Sequence, residues 1–275
     1  MKKRLIILFA FLLSFLFVFG ACAPTEQKKP QISDPPAVQP DDPPSEQDEE
    51  QPGLWDTSDV DISHINSERL LAFTFDDGPK AETAALLDVF ERFNESNPDW
   101  QAHATLFTLG GNISETNKQT LRRAFEGGME LGNHSFSHAN LTAVNDDQIR
   151  QEINSTDLLL QEIDGKERHL FRPPGGHYSD HVLSLAAAPF INWTGDLDTS
   201  DWTGVSDNEI YNKISSNLID GGIVLMHQGY TNTIKAVERL LPDLKERGFQ
   251  IVSVSELAKA YGIKMYTGQA YSYLG

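Results

Sequence analysis

The sequence is poor in cysteine, in positive charge and in long apolar runs, and each shortage excludes a class of protein. Its 275 residues include a single cysteine, Cys22, so the chain cannot form an internal disulfide or a metal site of several thiolates. Its 22 Lys and Arg residues stand against 40 Asp and Glu residues, a formal charge of -18. This balance excludes the basic surface that nucleic-acid binding needs. Any metal must therefore be bound by histidine and carboxylate side chains.

The longest apolar run is too short for a comfortable membrane span. It covers the 16 residues Leu5–Gly20 after a basic start, whereas a spanning helix needs about 20 apolar residues. This pattern predicts a secretory signal. The run ends in Phe-Gly-Ala-Cys at 19–22, which resembles a bacterial lipoprotein processing site; an ordinary cleaved signal or an uncleaved anchor are the alternatives. We expect export, either to the outer face of the cytoplasmic membrane through a lipidated Cys22 or as a secreted protein.

The composition divides the chain into four segments. Residues 1–21 are the predicted lipoprotein-type signal peptide. Residues 22–53 hold eight of the 14 prolines and several acidic residues, which predicts a disordered tether because such a segment buries too little apolar surface to fold. Residues 54–265 form the predicted folded domain, and residues 266–275 are left as a tail.

The folded part alternates short β-rich runs with longer amphipathic ones. The seven strand candidates are Leu70–Phe75, Ala104–Leu109, Met129–Gly132, His169–Phe171, Phe190–Trp193, Ile223–Met226 and Phe249–Val252. The helix candidates between and after them are Glu82–Asn94, Asn117–Glu126, Asp146–Ile163, Asp180–Ala187, Asp207–Leu218, Thr233–Glu246 and Val254–Tyr261. This alternation predicts an α/β fold with a parallel sheet in one barrel-like domain.

Ionisable side chains follow five of these strand candidates. They are Asp76 and Asp77, His134 and His138, Arg172, the group Asp196, Asp198 and Asp201, and His227. Because parallel strands bring their carboxyl ends to one rim, these side chains are predicted to meet in an active site.

Two of these groups have the composition of a catalytic metal site. Asp76 and Asp77 are adjacent, so one can bind a metal while the other acts as a base, although Asp-Gly-Pro is also a common turn. His134 and His138 are four residues apart and on a helical turn would face the same way, although chance gives this spacing often. Two imidazoles with Asp77 would leave coordination positions open for water and substrate.

Five motifs together resemble the polysaccharide deacetylases, the NodB-homology group of carbohydrate esterase family 4. They are T-F-D-D-G at 74–78, H-S-F-S-H at 134–138, R-P-P-G-G at 172–176, D-T-S-D-W at 198–202 and I-V-L-M-H at 223–227. The resemblance runs from about Leu70 to Leu257. It implies a distorted (β/α)7 barrel and hydrolysis of N-acetyl groups on sugars with a divalent metal.

The resemblance implies roles in catalysis for five residues. Asp77, His134 and His138 would bind the metal. Asp76 would accept the proton of the attacking water, and His227 would protonate the leaving amine.

Five more residues would support the reaction. The Gly175 backbone N–H would stabilise the oxyanion, and Leu225 and Trp202 would line the pocket for the acetyl methyl group. Arg172 would pair with the base, and Asp198 would orient the catalytic histidine. These two pairings would keep the base ionised and the histidine cationic.

The third and fourth motifs depart from the family pattern. Gly175 stands where an aromatic residue is usual, which implies a wider pocket. The fourth region holds an extra aspartate after Trp193, so Asp196 remains an alternative to Asp198 as the partner of His227.

These residues predict a metal-dependent N-deacetylase of an N-acetylglucosamine-containing polysaccharide, with peptidoglycan as the first substrate because a tether facing the wall meets it at high effective concentration. Zinc is the first expectation for the metal, with cobalt or nickel as alternatives. The alternative functions are an O-acetyl esterase acting on acetylated xylan and a non-catalytic glycan-binding lipoprotein.

Overall fold

A computed structural model describes residues 53–275 of the chain. The predicted signal peptide, Cys22 and all but the last residue of the predicted tether lie outside the described residues. Within 53–275, seven strands and seven α-helices are interleaved along the chain. No helix of this range is both long enough and apolar enough to cross a membrane.

Six of the seven strands and all seven helices lie close to predicted positions, whereas β7 lies in the predicted tail. The strands are β1 Arg69–Gly78, β2 Thr105–Thr108, β3 Glu130–Asn133, β4 Phe190–Ile191, β5 Gly222–His227, β6 Phe249–Val252 and β7 Ala270–Tyr271. The helices are α1 Thr83–Ser96, α2 Glu115–Glu126, α3 Asp146–Asp164, α4 Asp180–Leu185, α5 Asp207–Ser216, α6 Thr231–Glu246 and α7 Val254–Ala260. Helices α2, α3, α5 and α7 each begin with a capping box, in which two orphaned backbone N–H groups find side-chain acceptors.

The strands form a parallel, barrel-like sheet, which confirms the predicted α/β fold. Strands β3, β2, β1 and β5 lie side by side in that order, and the first half of β1 also pairs with β6. Phe171 connects β3 to β4, because it forms a single-residue bridge to each of them. The segment after β4 contacts β5 through a hydrogen bond from the Thr194 N–H to the Ile223 carbonyl. The predicted strand at 169–171 is thus only a bridge. Pro173 and Pro174 follow it and have no N–H to extend the pairing.

Strand β1 is the central strand, and its alternation decides which side chains enter the barrel. Leu71, Phe73 and Phe75 pack in the larger apolar cluster with helices α1 and α6. Burying each phenylalanine stabilises the fold by about 1.5–3 kcal/mol. Leu70 and Ala72 pack in a second cluster. Because successive side chains point to opposite faces, Asp76 shares the face of Leu70 and Ala72 and points into the barrel mouth.

The last ten residues are part of the fold. Strand β7 pairs in parallel with β4, and the Leu274 side chain is 1% exposed. The Leu274 N–H donates to the carbonyl oxygen of Gly221 at 3.0 Å, a normal length for a backbone hydrogen bond. Residues 266–275, which the sequence leaves as a tail, therefore close the sheet beside β4.

Candidate active site

Residues of all five motifs line one pocket of about 400 Å³ at the carboxyl ends of β1, β3 and β5, and four of the motifs supply ionisable side chains to its lining. Its lining comprises Asp76, Asp77, His134, His138, Gly175, Trp193, Asp198, Trp202, Leu225, His227 and Tyr230. The sequence expectation that these strand ends converge agrees with this placement.

Asp77, His134 and His138 form a group that fits a divalent cation. The Asp77 Oδ1 atom lies 3.6 Å from Nε2 of His134 and 3.5 Å from Nε2 of His138. This oxygen is buried and has no hydrogen-bond partner within residues 53–275, and leaving a buried oxygen unpaired is costly unless a ligand binds it. Ligand atoms bound at about 2.1 Å around one tetrahedral zinc ion lie about 3.4 Å apart, so the spacing suits chelation of one ion.

The backbone fixes which nitrogen of His134 faces this group. The His134 Nδ1 atom lies 2.7 Å from the carbonyl oxygen of Arg172. Since a carbonyl only accepts hydrogen bonds, Nδ1 carries the proton and the neutral ring keeps a lone pair on Nε2. Burial also lowers the pKa of His134 despite the nearby carboxylates, which favours the neutral ring. An imidazole held in this way is oriented as a metal ligand.

The two histidines do not lie on a helical turn, and this step of the sequence reasoning is wrong. Residues 134–138 form a loop after β3, and His138 has a positive φ of 62°. Asp77 also has a positive φ, of 68°. Such angles are rare outside glycine and cost free energy, so the surrounding contacts must hold both residues in place.

Glu152 of helix α3 braces the histidine loop. Its Oε2 atom accepts from the backbone N–H groups of Phe136 at 2.9 Å and Ser137 at 2.7 Å, and its Oε1 atom accepts from the Ser137 hydroxyl. Inside the loop, the His138 N–H donates to the Ser135 hydroxyl at 3.1 Å. The loop is thus fixed by side chains rather than by helical hydrogen bonds.

Asp76 is buried against a guanidinium. Its side chain is 4% exposed, and its Oδ1 atom accepts from Nη1 of Arg172 at 2.8 Å. Arg172 is fully buried and also donates to the carbonyl oxygens of Ile191 and Asn192 and to the Thr74 hydroxyl. These bonds hold the guanidinium in a single position.

The ion pair determines the protonation state of Asp76. Burial on its own would raise the pKa of Asp76, but the Arg172 charge, assisted by His134 and His227, outweighs burial and lowers the pKa below its usual value. Asp76 is therefore ionised at neutral pH. The other Asp76 oxygen lies 3.7 Å from Nε2 of His134, at the edge of the cation group.

His227, at the end of β5, is paired with Asp201. The His227 Nδ1 atom lies 2.7 Å from Oδ1 of Asp201, whose Oδ2 accepts from the His227 backbone N–H at 2.8 Å and from the Thr233 hydroxyl at 2.6 Å. Burial would lower the pKa of His227, but the Asp201 hydrogen bond, with the charge of Asp76, raises it overall. Nε2 is left as the nitrogen that can exchange a proton with a molecule in the pocket.

The predicted pairing of Asp198 with His227 is wrong, and so is the alternative pairing with Asp196. The Asp198 carboxylate turns back on its own chain and accepts from the Ser200 N–H at 2.9 Å. Asp196 is 82% exposed and lies 3.7 Å from Lys213. The short helical turn Asp201–Thr203 instead brings the second aspartate of the motif to the histidine.

The predicted pocket-lining residues do lie around the pocket. Leu225 is buried, whereas Trp202 is 58% exposed and presents a broad aromatic surface to solvent. Gly175 has a positive φ of 63°, and a side chain there would meet the His177 ring at 3.0 Å. The ring of His177 thus lies beside the position at which the family usually carries an aromatic side chain.

Three features of the site were missed from the sequence. The sequence predicts Asp201 at the rim but does not assign it as the partner of His227. The available signal was its position three residues after Asp198 in the same motif. Trp193 and Tyr230 line the pocket without any chemical pattern that marks them. Glu152 acts from a distant helix, and nothing in the local sequence indicates it.

Comparison with known proteins shows which family the chain resembles. The family model for polysaccharide deacetylase matches residues 64–189. A peptidoglycan-N-acetylglucosamine deacetylase of Bacillus cereus is 31% identical over 201 residues, which cover 70% of this chain and 90% of that protein. A bifunctional xylanase/deacetylase of Pseudobutyrivibrio xylanivorans is 31% identical over 204 residues, 73% of this chain. The matched region spans only 32% of that second protein.

Solved structures share the fold. A family 4 acetyl xylan esterase from Clostridium thermocellum, in complex with a cobalt ion, superimposes with a TM-score of 0.68 at 28% identity. The alignment covers 75% of this chain and 99% of that one.

Proposed function

The chain belongs to the polysaccharide deacetylase family of hydrolases, and from this membership we propose that it removes N-acetyl groups from an N-acetylglucosamine-containing polysaccharide, with peptidoglycan as the substrate. One observation carries the proposal. An ionised Asp76 and a His227 with a raised pKa line the same pocket as the Asp77, His134 and His138 group. A base, an acid and a cation site are what amide hydrolysis requires.

Asp77, His134 and His138 would hold the cation, with zinc first and cobalt or nickel as alternatives. When bound, the cation would supply Lewis-acid charge at the acetyl carbonyl and favour ionisation of the attacking water. Two histidines and one carboxylate leave coordination positions open, which is typical of catalytic rather than structural sites.

Asp76 would act as the general base. Arg172 keeps its carboxylate ionised, and its free oxygen lies at the edge of the cation group. As the water oxygen bonds to the acetyl carbon, the water proton passes to Asp76. The charge that develops on the carbonyl oxygen would be stabilised by the backbone N–H of Gly175.

His227 would act as the general acid. The carbon–nitrogen bond breaks as His227 Nε2 gives its proton to the sugar nitrogen, and acetate and a free amine leave. An amide nitrogen is a poor leaving group unless it is protonated. Asp201 would keep the imidazole protonated and aim Nε2 into the pocket.

Leu225 and Trp202 would bind the substrate around the acetyl group. Buried Leu225 offers an apolar wall for the methyl group, and exposed Trp202 offers a flat surface for a sugar ring. With Gly175 in place of a large side chain, this part of the pocket would accept a bulkier sugar substituent.

Peptidoglycan is favoured over other polymers by two arguments. The Bacillus cereus relative is named for it, and the sequence predicts a lipidated Cys22 with a proline-rich tether at 22–53. A tethered enzyme on the outer face of the cytoplasmic membrane would meet the wall polymer at high effective concentration.

An O-acetyl esterase acting on acetylated xylan is the second candidate, because the Pseudobutyrivibrio relative and the Clostridium structure carry xylan-related names. The leaving group of an ester is an alcohol, which needs less protonation by an acid than the amine leaving group of an amide. A His227→Ala variant should therefore lose far more activity on an amide than on an ester of the same sugar.

The deciding experiment measures acetate release by the full chain after removal of metal with a chelator and reloading with zinc. The substrates are peptidoglycan, N-acetylglucosamine oligomers and acetylated xylan, and an Asp76→Asn variant is the control for background release. We expect zinc-dependent release from peptidoglycan. Acetate release from xylan alone would show that the chain acts as an O-acetyl esterase. No acetate release with zinc bound would favour a glycan-binding role.

A further inference from the structure

A second group of histidines and a carboxylate lies away from the active site. His64 belongs to the segment before β1, His103 precedes β2, and Glu256 lies in the first turn of α7. The active-site residues follow the carboxyl end of β3, whereas His103 lies before the amino end of β2, which neighbours β3. The second group therefore lies at the opposite end of the barrel.

The geometry of this group resembles that of the first. Each of the three residues offers one ligand atom, and these atoms lie within 4.8 Å of one another. The Glu256 Oε1 atom is 3.5 Å from Nε2 of His64 and 2.6 Å from Nδ1 of His103. The two imidazole rings lie 4.3 Å apart between centroids.

The His64 Nε2 atom carries the strongest argument. Among the described residues, three buried side-chain polar atoms have no hydrogen-bond partner: His64 Nε2, Asp77 Oδ1 and Asn192 Oδ1. The first two each belong to a group of two histidines and one carboxylate. An unpaired buried nitrogen costs free energy unless a ligand binds it.

A histidine that only braces the fold has a different environment in this chain. The buried His169 bonds through Nδ1 to Asp157 at 2.9 Å and through Nε2 to Asp164 at 3.1 Å. Both of its ring nitrogens are satisfied by carboxylates. His64 has a carboxylate within reach but no hydrogen bond at Nε2, so structural bracing does not account for it.

The surroundings favour a cation and give it access. The group lines a cavity of about 530 Å³, and the other carboxylates along this cavity outnumber the single lysine, Lys166. These carboxylates are Asp59, Asp61, Glu130 and Asp164. Negative charge around a low-dielectric cavity raises the local concentration of cations.

We propose that His64, His103 and Glu256 bind a second divalent cation of the zinc class, and that binding of this ion stabilises the fold. Imidazole and carboxylate together suit zinc and its neighbours in the first transition row. The ion would tie the segment before β1 to β2 and α7, three parts of the chain that are distant in sequence.

Binding requires a change of tautomer at His103. The His103 Nδ1 proton, which now bridges to Glu256 Oε1, would be exchanged through solvent for a proton on Nε2, so that the ring stays neutral while Nδ1 and Oε1 become ligands. These two atoms would also move apart from 2.6 Å toward the roughly 3.4 Å between ligands of one tetrahedral zinc ion. Glu256 Oε2 would keep its capping bond from the Ser253 N–H.

The first test counts zinc ions per molecule of the full chain by equilibrium dialysis and elemental analysis. We expect two in the wild type, one in a His134→Ala/His138→Ala variant, one in a His64→Gln variant and none when all three changes are combined. His181→Ala is the matched control, since His181 is an exposed histidine outside both groups, and it should keep two. A wild type that binds one ion, or a His64→Gln variant that keeps two, would overturn the proposal.

The second test reads folding stability and does not depend on catalysis. In the His134→Ala/His138→Ala variant, zinc at about 100 times its Kd should raise Tm by about 5–10 °C. Adding His64→Gln should abolish that rise, and because His64 Nε2 makes no hydrogen bond, this change removes none at that atom. Glu256→Gln, which keeps an oxygen for the capping bond, should also abolish it. A rise that survives both changes would refute the site.

Discussion

Replacing Asp201 by asparagine tests the corrected partner of the candidate acid. The change keeps the shape of the side chain but removes the negative charge that lies 2.7 Å from His227 Nδ1. Because the Asp201 bond and charge raise the pKa of His227, their loss must lower it. The fall should be large, because the His227 side chain is only 13% exposed and solvent therefore screens the pair weakly.

The expected effect is a displacement of the pH–rate profile. In the proposed mechanism the acid is protonated His227, so the alkaline limb of kcat/KM should move toward lower pH. At pH values on the alkaline limb, kcat/KM of the Asp201→Asn variant should be about 10- to 100-fold below that of the wild type. The difference in kcat/KM should shrink as the pH falls. The assay is acetate release from an N-acetylglucosamine oligomer across a pH series with zinc bound.

The variant should remain folded. Asp201 accepts from three donors, and an amide oxygen in the place of Oδ2 would still accept from the His227 backbone N–H and the Thr233 hydroxyl. The amide NH2 would face His227 Nδ1, which can accept from it only when the ring is neutral with its proton on Nε2. In the protonated ring the Nδ1–H group would lack an acceptor, which costs about 1–3 kcal/mol. This is less than the 5–15 kcal/mol by which a typical domain is stable.

Asp198→Asn is the matched control, because Asp198 lies in the same motif and, among residues 53–275, its carboxylate accepts hydrogen bonds only from Ser200. It should leave the alkaline limb in place. A limb that moves in the Asp198 variant and stays in the Asp201 variant would refute the reasoning and restore the pairing predicted from the sequence.

Three further predictions concern the other side of the pocket. Asp76→Asn should keep zinc in elemental analysis but lower kcat by about 10²- to 10⁴-fold; equal activity would exclude Asp76 as the base. Arg172→Met should destabilise the fold by about 3–5 kcal/mol in urea unfolding, since it leaves Asp76 charged and buried, and adding Asp76→Asn should recover much of that loss. Glu152→Ala should weaken zinc binding about 10- to 100-fold in competition with a chelator, because the histidine loop loses its acceptor; unchanged affinity would show that the loop holds its shape without Glu152.

The sequence predicts the position of the site well because strand ends converge. Hydrophobic runs locate β1, β3 and β5, and their carboxyl ends meet at one rim whatever the loops do. That argument needs only the order of elements, so it brings Asp76, His134 and His227 together without any knowledge of torsion angles. It does not extend to the end of the chain, where β7 consists of only two paired residues.

The sequence does not predict which carboxylate of a cluster meets which partner. Asp196, Asp198 and Asp201 lie within six residues, and the choice among them depends on where the chain turns. The chain turns after Ser200, which has a positive φ of 51°. A positive φ is uncommon for serine, so the sequence does not predict this turn. The role that the motif resemblance implies for Asp198 therefore falls on the wrong aspartate.

The rest of the fold holds the residues of the cation group in strained backbone conformations. Asp77, Ser135 and His138 all have positive φ, and residues of this kind cost about 1–3 kcal/mol each. The free energy that holds them comes from outside the loops, through the pairing of β1 and β3 with β2 and through the Glu152 carboxylate. The candidate ligand atoms are thus positioned before any cation arrives, so changes at these supporting residues should weaken cation binding although none of them is a ligand.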